Sequence, residues 1–507
     1  MKPRTDPLFH ASRLALVAIT IGALPASAAL ATWDGGGGAG DTNINTPLNW
    51  NPDGTPTFGS ALQGIFQTTT AANINTNVTF GPTTTVPAVA FGGNFTMNAG
   101  GGILTLYGTN SGTQSVLRTN SGASSVVINS PIEIFATAPS VAPLGNLLVI
   151  TVNNTTAANT ALNITGGISK AGSSTGATYD LRFGNNVTVG LAAAKAKISS
   201  TISGMGSIVN ANPGGAQWAG DLIIAGDQPS VSSSNIAISS TTGFGTPQTS
   251  ARIVLGESNT DDQAWNNITL NNVMNLAIGG NITSNTFSGN TANTKITGAS
   301  ATGNIAFNNG TIGANVTLGG GGTNENDLSI IKKSSGTLNI NSTTATYTGA
   351  TIVEAGTLNI SSATALASPI TVKAGGTLTG EGSTTSSLTF DTGTSTLGFD
   401  ATTPGSLTAS SLATTGATVV ASPTGATTIG TPYTVLTRSS GTFSTGDVSA
   451  FLAGGRGTMG GAGTNKITFT PSAPIALTWK GNDGTNPTFW DVAATFNWLR
   501  MMPGLAS

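Results

Sequence analysis

The stretch from Ser334 to Ile360 reads SSGTLNINSTTATYTGATIVEAGTLNI and contains one phrase twice. Gly336-Thr337-Leu338-Asn339-Ile340 returns as Gly356-Thr357-Leu358-Asn359-Ile360, twenty residues on. Thr317-Leu318 and Thr377-Leu378 fall on the same interval, and Thr396-Leu397 follows one residue short. A fixed short period marks a solenoid, in which each repeat is one rung stacked on its neighbours. Twenty residues suit about three short strands of roughly 3–6 residues each, joined by tight turns. The repeated leucines then stack inside, and the flanking Thr and Asn face water. Gly336, Gly356 and Gly376 stand where a turn is needed and where positive φ is easy for glycine.

Composition agrees with a β-structure. Only 7% of residues are charged, against roughly 25% in ordinary soluble proteins. Gly supplies 69 of the 507 residues, and Thr, Asn, Ser and Ala fill much of the rest. β-branched Thr sits well on a pleated sheet, whereas Gly or Asn interrupts nearly every helical pattern. Short apolar stretches bounded by turn formers recur, such as Ile103-Leu104-Thr105-Leu106, Asp221-Leu222-Ile223-Ile224 and Asn304-Ile305-Ala306-Phe307. Length alone suggests about three domains, a prior that repeat proteins evade. The formal net charge is −2 with no basic stripe, so nothing draws the chain towards nucleic acid.

Lys2, Arg4 and Arg13 precede the apolar run Leu14 to Leu24, which Pro25-Ala26-Ser27-Ala28 follows. A basic start, a short apolar core and an Ala-x-Ala exit are the parts of a secretory signal peptide, cleaved after Ala28 or, second, after Ala31. Eleven apolar residues ending in proline are too few for a membrane anchor, which needs roughly 20. The mature chain is thus expected to be secreted or at the cell surface, with no transmembrane span. There is no Cys, and the one histidine, His10, lies in the segment expected to be removed. Triads built on His, Cys nucleophiles, and the His or Cys ligands of zinc sites are excluded with them.

Residues 32–50 (TWDGGGGAGDTNINTPLNW) and 478–498 (TWKGNDGTNPTFWDVAATFNW) share a plan: Thr-Trp, a Gly/Asp/Asn loop, then Asn-Trp. They hold Trp33, Trp50, Trp479, Trp490 and Trp498, five of the seven tryptophans. Each reads as the start of a module, its rings covering one end of a β-stack. The expected division is a signal peptide over 1–28 and a β-helical region over 29–470, with the repeat clearest at 317–397. A second Trp module over 471–507 then begins and reads as truncated, since Leu-Arg-Met-Met-Pro-Gly-Leu-Ala-Ser after Trp498 departs from everything before it.

From Ile331 to Ile360 the chain resembles the autotransporter-associated β-strand repeat of large bacterial surface proteins. Lys333, Gly336-Thr337-Leu338, Tyr347-Thr348-Gly349 and Val353-Glu354-Ala355-Gly356-Thr357-Leu358 carry the resemblance, and the Thr-Trp…Asn-Trp segments are similar to elements that open such modules. The likeness covers roughly a tenth of the chain. It implies an all-β fold, a right-handed parallel β-helix of passenger type, and says nothing of a ligand. Autotransporters end in a membrane barrel of many strands of about 10 residues. Nothing in these 507 residues supplies one, so anchoring is not carried over.

No residue is assigned a catalytic, cofactor-binding or metal-binding role. Glu257-Ser258-Asn259-Thr260-Asp261-Asp262 is the densest acidic group, but adjacent aspartates on a strand point to opposite faces, and the calcium-loop pattern is missing. Gly319 to Leu328 reads as a flexible rung-to-rung loop, since the calcium β-roll it faintly resembles needs tandem copies. Gly35 to Gly38 lacks the Gly-Lys-Ser/Thr ending of a phosphate loop. Lys332-Lys333 reads as a hydrated turn, and Asn77-Val78-Thr79 and Asn94-Phe95-Thr96 as products of composition. The expected function is a non-enzymatic surface or secreted stalk, adhesin-like, whose partners are surface glycans or neighbouring cell-surface proteins. The alternatives are a β-helical polysaccharide lyase or hydrolase, and an incomplete piece of a larger autotransporter.

Overall fold

The computed structural model describes residues 29–473, 477–479 and 498–500, except 39, 60–61, 68–70, 83–85, 110–114, 136–143, 146, 155, 157–159, 173–178, 185–194, 211–220, 239–251, 271–274, 291–293, 301–302 and 403–404. The proposed signal peptide lies outside the described residues.

The chain winds into a parallel β-helix with three faces. On the first face, strands run in parallel register from Ala29–Trp33 through Leu62–Phe66, Val89–Phe91 and Leu117–Thr119. The same ladder continues, strand upon strand, to Phe451–Ala453. The second face begins at Ala72–Ile74, Phe95–Ala99 and Val126–Ile128, and the third at Val78–Phe80, Leu104–Thr109 and Ile132–Phe135. Further along, third and first faces join into single long strands such as Asp262–Leu270 and Gly303–Ile312. Alternation explains the core. On Val316–Leu318, Thr351–Val353 and Ile370–Val372 the outer residues are buried and the middle one is half-exposed.

Around the repeated phrase the register is a column of identical residues. Leu338 lies beside Leu358, Leu358 beside Leu378, and Leu378 beside Leu397, all fully buried. Ile340 and Ile360 form a second buried column next to it. Each such side chain taken from water contributes roughly 1.5–3 kcal/mol.

Thr317-Leu318, although twenty residues before Thr337-Leu338, belongs to another face. Its strand sits beside Thr344 and Ala345, while Leu338 sits beside Gly310. On the first face the twenty-residue rung holds from Thr337 to Gly380; elsewhere the spacing ranges from 18 residues, where Ile370 lies beside Leu388, to 36, where Ile128 lies beside Ile164. The extra residues fall in the connections between strands, where they leave the ladder intact. The glycine turns also differ in detail. Gly356 has φ 67°, but at the flanking turns the left-handed residues are Ser334 and Gly375, one or two positions before Gly336 and Gly376. A Cβ on Gly356 would stand 2.2 Å from the Ser334 carbonyl oxygen, so that turn admits only glycine.

Antiparallel strands pair with the first strand of the first face and with the last strand of the second. At the first rung Trp33 and Trp50 are antiparallel register partners, with rings edge-to-face at 5.3 Å, and both are buried. Trp50 Nε1 donates to the Ile44 carbonyl at 2.8 Å, and its ring lies 5.9 Å from that of Phe66 in the next rung. At the far end Tyr433–Arg438 pairs antiparallel with Lys466–Pro471, which also pairs antiparallel with Gly457–Gly460. An antiparallel finish occupies an edge that would otherwise recruit another strand. Trp479 and Trp498 form a separate antiparallel pair, in the same Thr-Trp to Trp register as Thr32-Trp33 to Trp50.

Asparagines stack along the outer surface as the leucines do inside. Asn359 Nδ2 donates to Asn339 Oδ1 at 3.0 Å, Asn304 to Asn281 at 2.9 Å and Asn98 to Asn73 at 3.0 Å. Such ladders satisfy side-chain amides without charge. No helix among the described residues is long and apolar enough to cross a membrane.

Candidate functional surface

The acidic group from Glu257 to Asp262 is used by the fold. Asp261 Oδ2 accepts from the backbone amides of Glu257 at 2.7 Å, Gly226 at 3.0 Å and Ser258 at 3.3 Å. Asp262 Oδ1 accepts from Asn281, and Glu257 pairs with Lys197. The carboxylates therefore point to separate partners. Among the described residues no three His, Cys, Asp or Glu side chains converge as metal ligands would.

The Gly319 to Leu328 segment is tied down, in contrast to the flexible loop expected. Asn326 Oδ1 accepts from the Gly320 amide at 3.0 Å and from Thr346 at 2.9 Å, and Glu325 accepts from the Gly322 amide at 2.9 Å. Asn77 and Asn94 likewise hold the next rung. Asn77 accepts from the Ile103 amide at 3.0 Å, and Asn94 from the Ser124 and Ser125 amides at 2.9 Å each.

Lys332 corrects the expectation of a hydrated turn. It is fully buried, in register between Phe307 and Val353. Its ammonium donates to the carbonyls of Lys333, of Ser334 at 2.8 Å and of Ala355 at 3.2 Å. Two acceptors come from the turn that follows it and the third from the next rung. Burial pushes its amine down to about 8. Nearby, the buried Tyr347 hydroxyl and Thr351 share a 2.6 Å hydrogen bond, and Thr351 and Ser368 share another at 2.6 Å. Burial pushes the Tyr347 phenol up. These polar groups are spent on one another and present nothing to a ligand.

Solvent-open hollows lie near the C-terminal end. One hollow of about 480 Å³ runs between Asp400, Thr402, Tyr433 and Lys466. A second, of about 270 Å³, runs between Asn359, Thr379, Glu381 and Asp400. Asp400 lines both. Its Oδ1 accepts from the Thr402 amide and hydroxyl, each at 2.7 Å, which fixes the carboxylate at the junction. The Tyr433 hydroxyl accepts from the Thr428 amide at 2.8 Å. Nothing in the sequence pattern singled out this groove, because its residues come from four different rungs and from the antiparallel end. The only available signal was the loss of the Gly-Thr-Leu-x-Ile phrase after Thr379.

No protein-family model, no curated protein and no solved structure matches this chain.

Proposed function

We propose that this chain is an exported, non-enzymatic β-helical rod of passenger type, a surface stalk related in plan to autotransporter-associated repeat proteins. The observation that carries the reading is the unbroken parallel ladder of the first face, from Ala29–Trp33 to Phe451–Ala453. Each first-face strand pairs with the next, so length comes with hydrogen bonding along the shaft. The surface is Thr, Ser and stacked Asn, with three ion pairs among the described residues. Such a shaft resists unfolding and proteolysis through pairing, and its low charge permits close approach to glycans or to neighbouring cell-surface proteins. Seventeen first-face strands at about 4.8 Å each make a shaft of about 80 Å.

Expression with residues 1–28 in a bacterial host, followed by fractionation and small-angle scattering of the exported form, tests this. Recovery outside the cytoplasm as an elongated particle supports the reading, and a cytoplasmic or compact particle removes it. A polysaccharide-cleaving enzyme is favoured by one observation, that Glu381 and Asp400 border the same hollow. Reproducible cleavage of a glycan, lost in E381Q or D400N, would replace the stalk reading.

A further inference from the structure

We propose that the groove centred on Asp400 binds a neutral glycan chain laid across the C-terminal rungs. This deepens the stalk reading by placing its glycan contact, and it stands on three features.

The first is continuity. Asp400 lines both hollows, and Glu381, which borders the smaller, packs against Gly405, which lines the larger. A Cβ at position 405 would stand 2.3 Å from Glu381 Cδ, so the glycine is what lets the carboxylate lie between the hollows. The result is one open trough across successive rungs, a shape suited to a polymer more than to a compact ligand. The larger hollow alone falls within the range of small-ligand pockets, roughly 300–1,000 Å³.

The second is the chemistry of the lining. Hydroxyl side chains and an amide supply most of its polar groups, with the carboxylates of Glu381 and Asp400 beside them. The Glu381 carboxylate has no hydrogen-bond or ion-pair partner among the described residues, while its backbone amide donates to the Ile360 carbonyl. A carboxylate accepts from two adjacent hydroxyls at once, which is what a sugar ring offers, and charged acceptors make the stronger hydrogen bonds. Tyr433 lines the larger hollow. It leans on Phe399 at 6.4 Å, which in turn lies 5.7 Å from Phe469, so the buried aromatics hold the ring in place. Aromatic faces receive the C–H side of a ring while the polar groups take its hydroxyls.

The third is charge. Among the described lining residues Lys466 is the one cation, against two carboxylates. A polyanion such as a uronate polymer or a nucleic acid would meet net repulsion there.

The test uses the full exported chain with cello-, xylo- and mannohexaose as neutral probes, and oligogalacturonate and alginate oligomers as acidic ones. Calorimetry or affinity electrophoresis should give saturable binding of at least one neutral probe and none of the acidic ones. Binding should weaken by about tenfold or more in Glu381→Ala and in Tyr433→Ala, with Glu381→Gln intermediate. Far-UV circular dichroism and melting of each variant should match the parent. Absence of neutral binding, equal binding in both alanine variants, or preference for the acidic probes would overturn the proposal. Release of shortened sugars would overturn it in favour of catalysis. A compact particle by scattering would remove the stalk reading and leave the groove's binding result standing by itself.

Discussion

Asn359 donates its side-chain amide to the carbonyl of the Asn339 side chain at 3.0 Å, directly outside the pair Leu358 and Leu338. The phrase GTLNI therefore encodes two stacks at once, a leucine column facing in and an asparagine ladder facing out. Removing the ladder contact in Asn359→Ala should cost about 0.5–1.5 kcal/mol of stability. Asn359→Asp should cost more, because a carboxylate would then face the Asn339 oxygen with no hydrogen to share. Chemical denaturation of the three proteins side by side measures both.

The inner column is worth more. Leu358→Ala removes a fully buried side chain from between Leu338 and Leu378, and should destabilise by about 2–5 kcal/mol. Thr357→Ala, on the half-exposed neighbour, should change stability by about 0.5 kcal/mol or less. Equal losses at the two positions would contradict the inward direction of Leu358.

The buried lysine makes stability depend on pH. In the unfolded chain the Lys332 amine titrates near 10.5, and in the folded chain burial lowers it to about 8. Between those values the unfolded chain holds more protons, so stability should rise as pH climbs from 8 to 10.5 and fall back as pH drops through 8. Lys332→Met, similar in volume and uncharged, should flatten that rise. An unchanged profile in Lys332→Met would show that groups other than Lys332 set the pH dependence, and would contradict this account.

The Trp hairpin closes the first rung, so Trp50→Ala should act locally. It deletes the bond to the Ile44 carbonyl and the edge-to-face contact with Trp33, with a cost of about 3–5 kcal/mol. Hydrogen exchange should speed up in Leu62–Phe66 and Val89–Phe91, while Thr337–Ile340 keeps its protection. Uniform acceleration along the rod would argue against a local cap.

Much of this architecture was legible because Leu338, Leu358, Leu378 and Leu397 repeat almost without insertion. Leu318 misled by the same logic: spacing along the chain matches spacing between rungs only where each connection keeps its length. Toward the N-terminus, where Ile128 lies beside Ile164, insertions between strands erase the period while the ladder persists. Lys332 could not be read as buried, since its third carbonyl comes from Ala355 in the next rung. The groove was illegible for a similar reason. Glu381, Asp400 and Lys466 are far apart in sequence, and only the folded rungs bring them to one trough.

Residues twenty apart sit one above the other because they share a position in successive rungs, and not merely because of their spacing. The chain has no Cys, so paired cysteines report on it without background. Thr337→Cys with Thr357→Cys places two thiols at register partners on adjacent parallel strands, within the Cα separation of about 4.4–6.8 Å that a disulfide spans. Thr317→Cys with Thr337→Cys has the same twenty-residue spacing but puts the thiols on different faces. Under mild oxidation the first pair should close within one chain and the second should stay reduced. Closure of the second pair, or failure of the first, would contradict the fold described here.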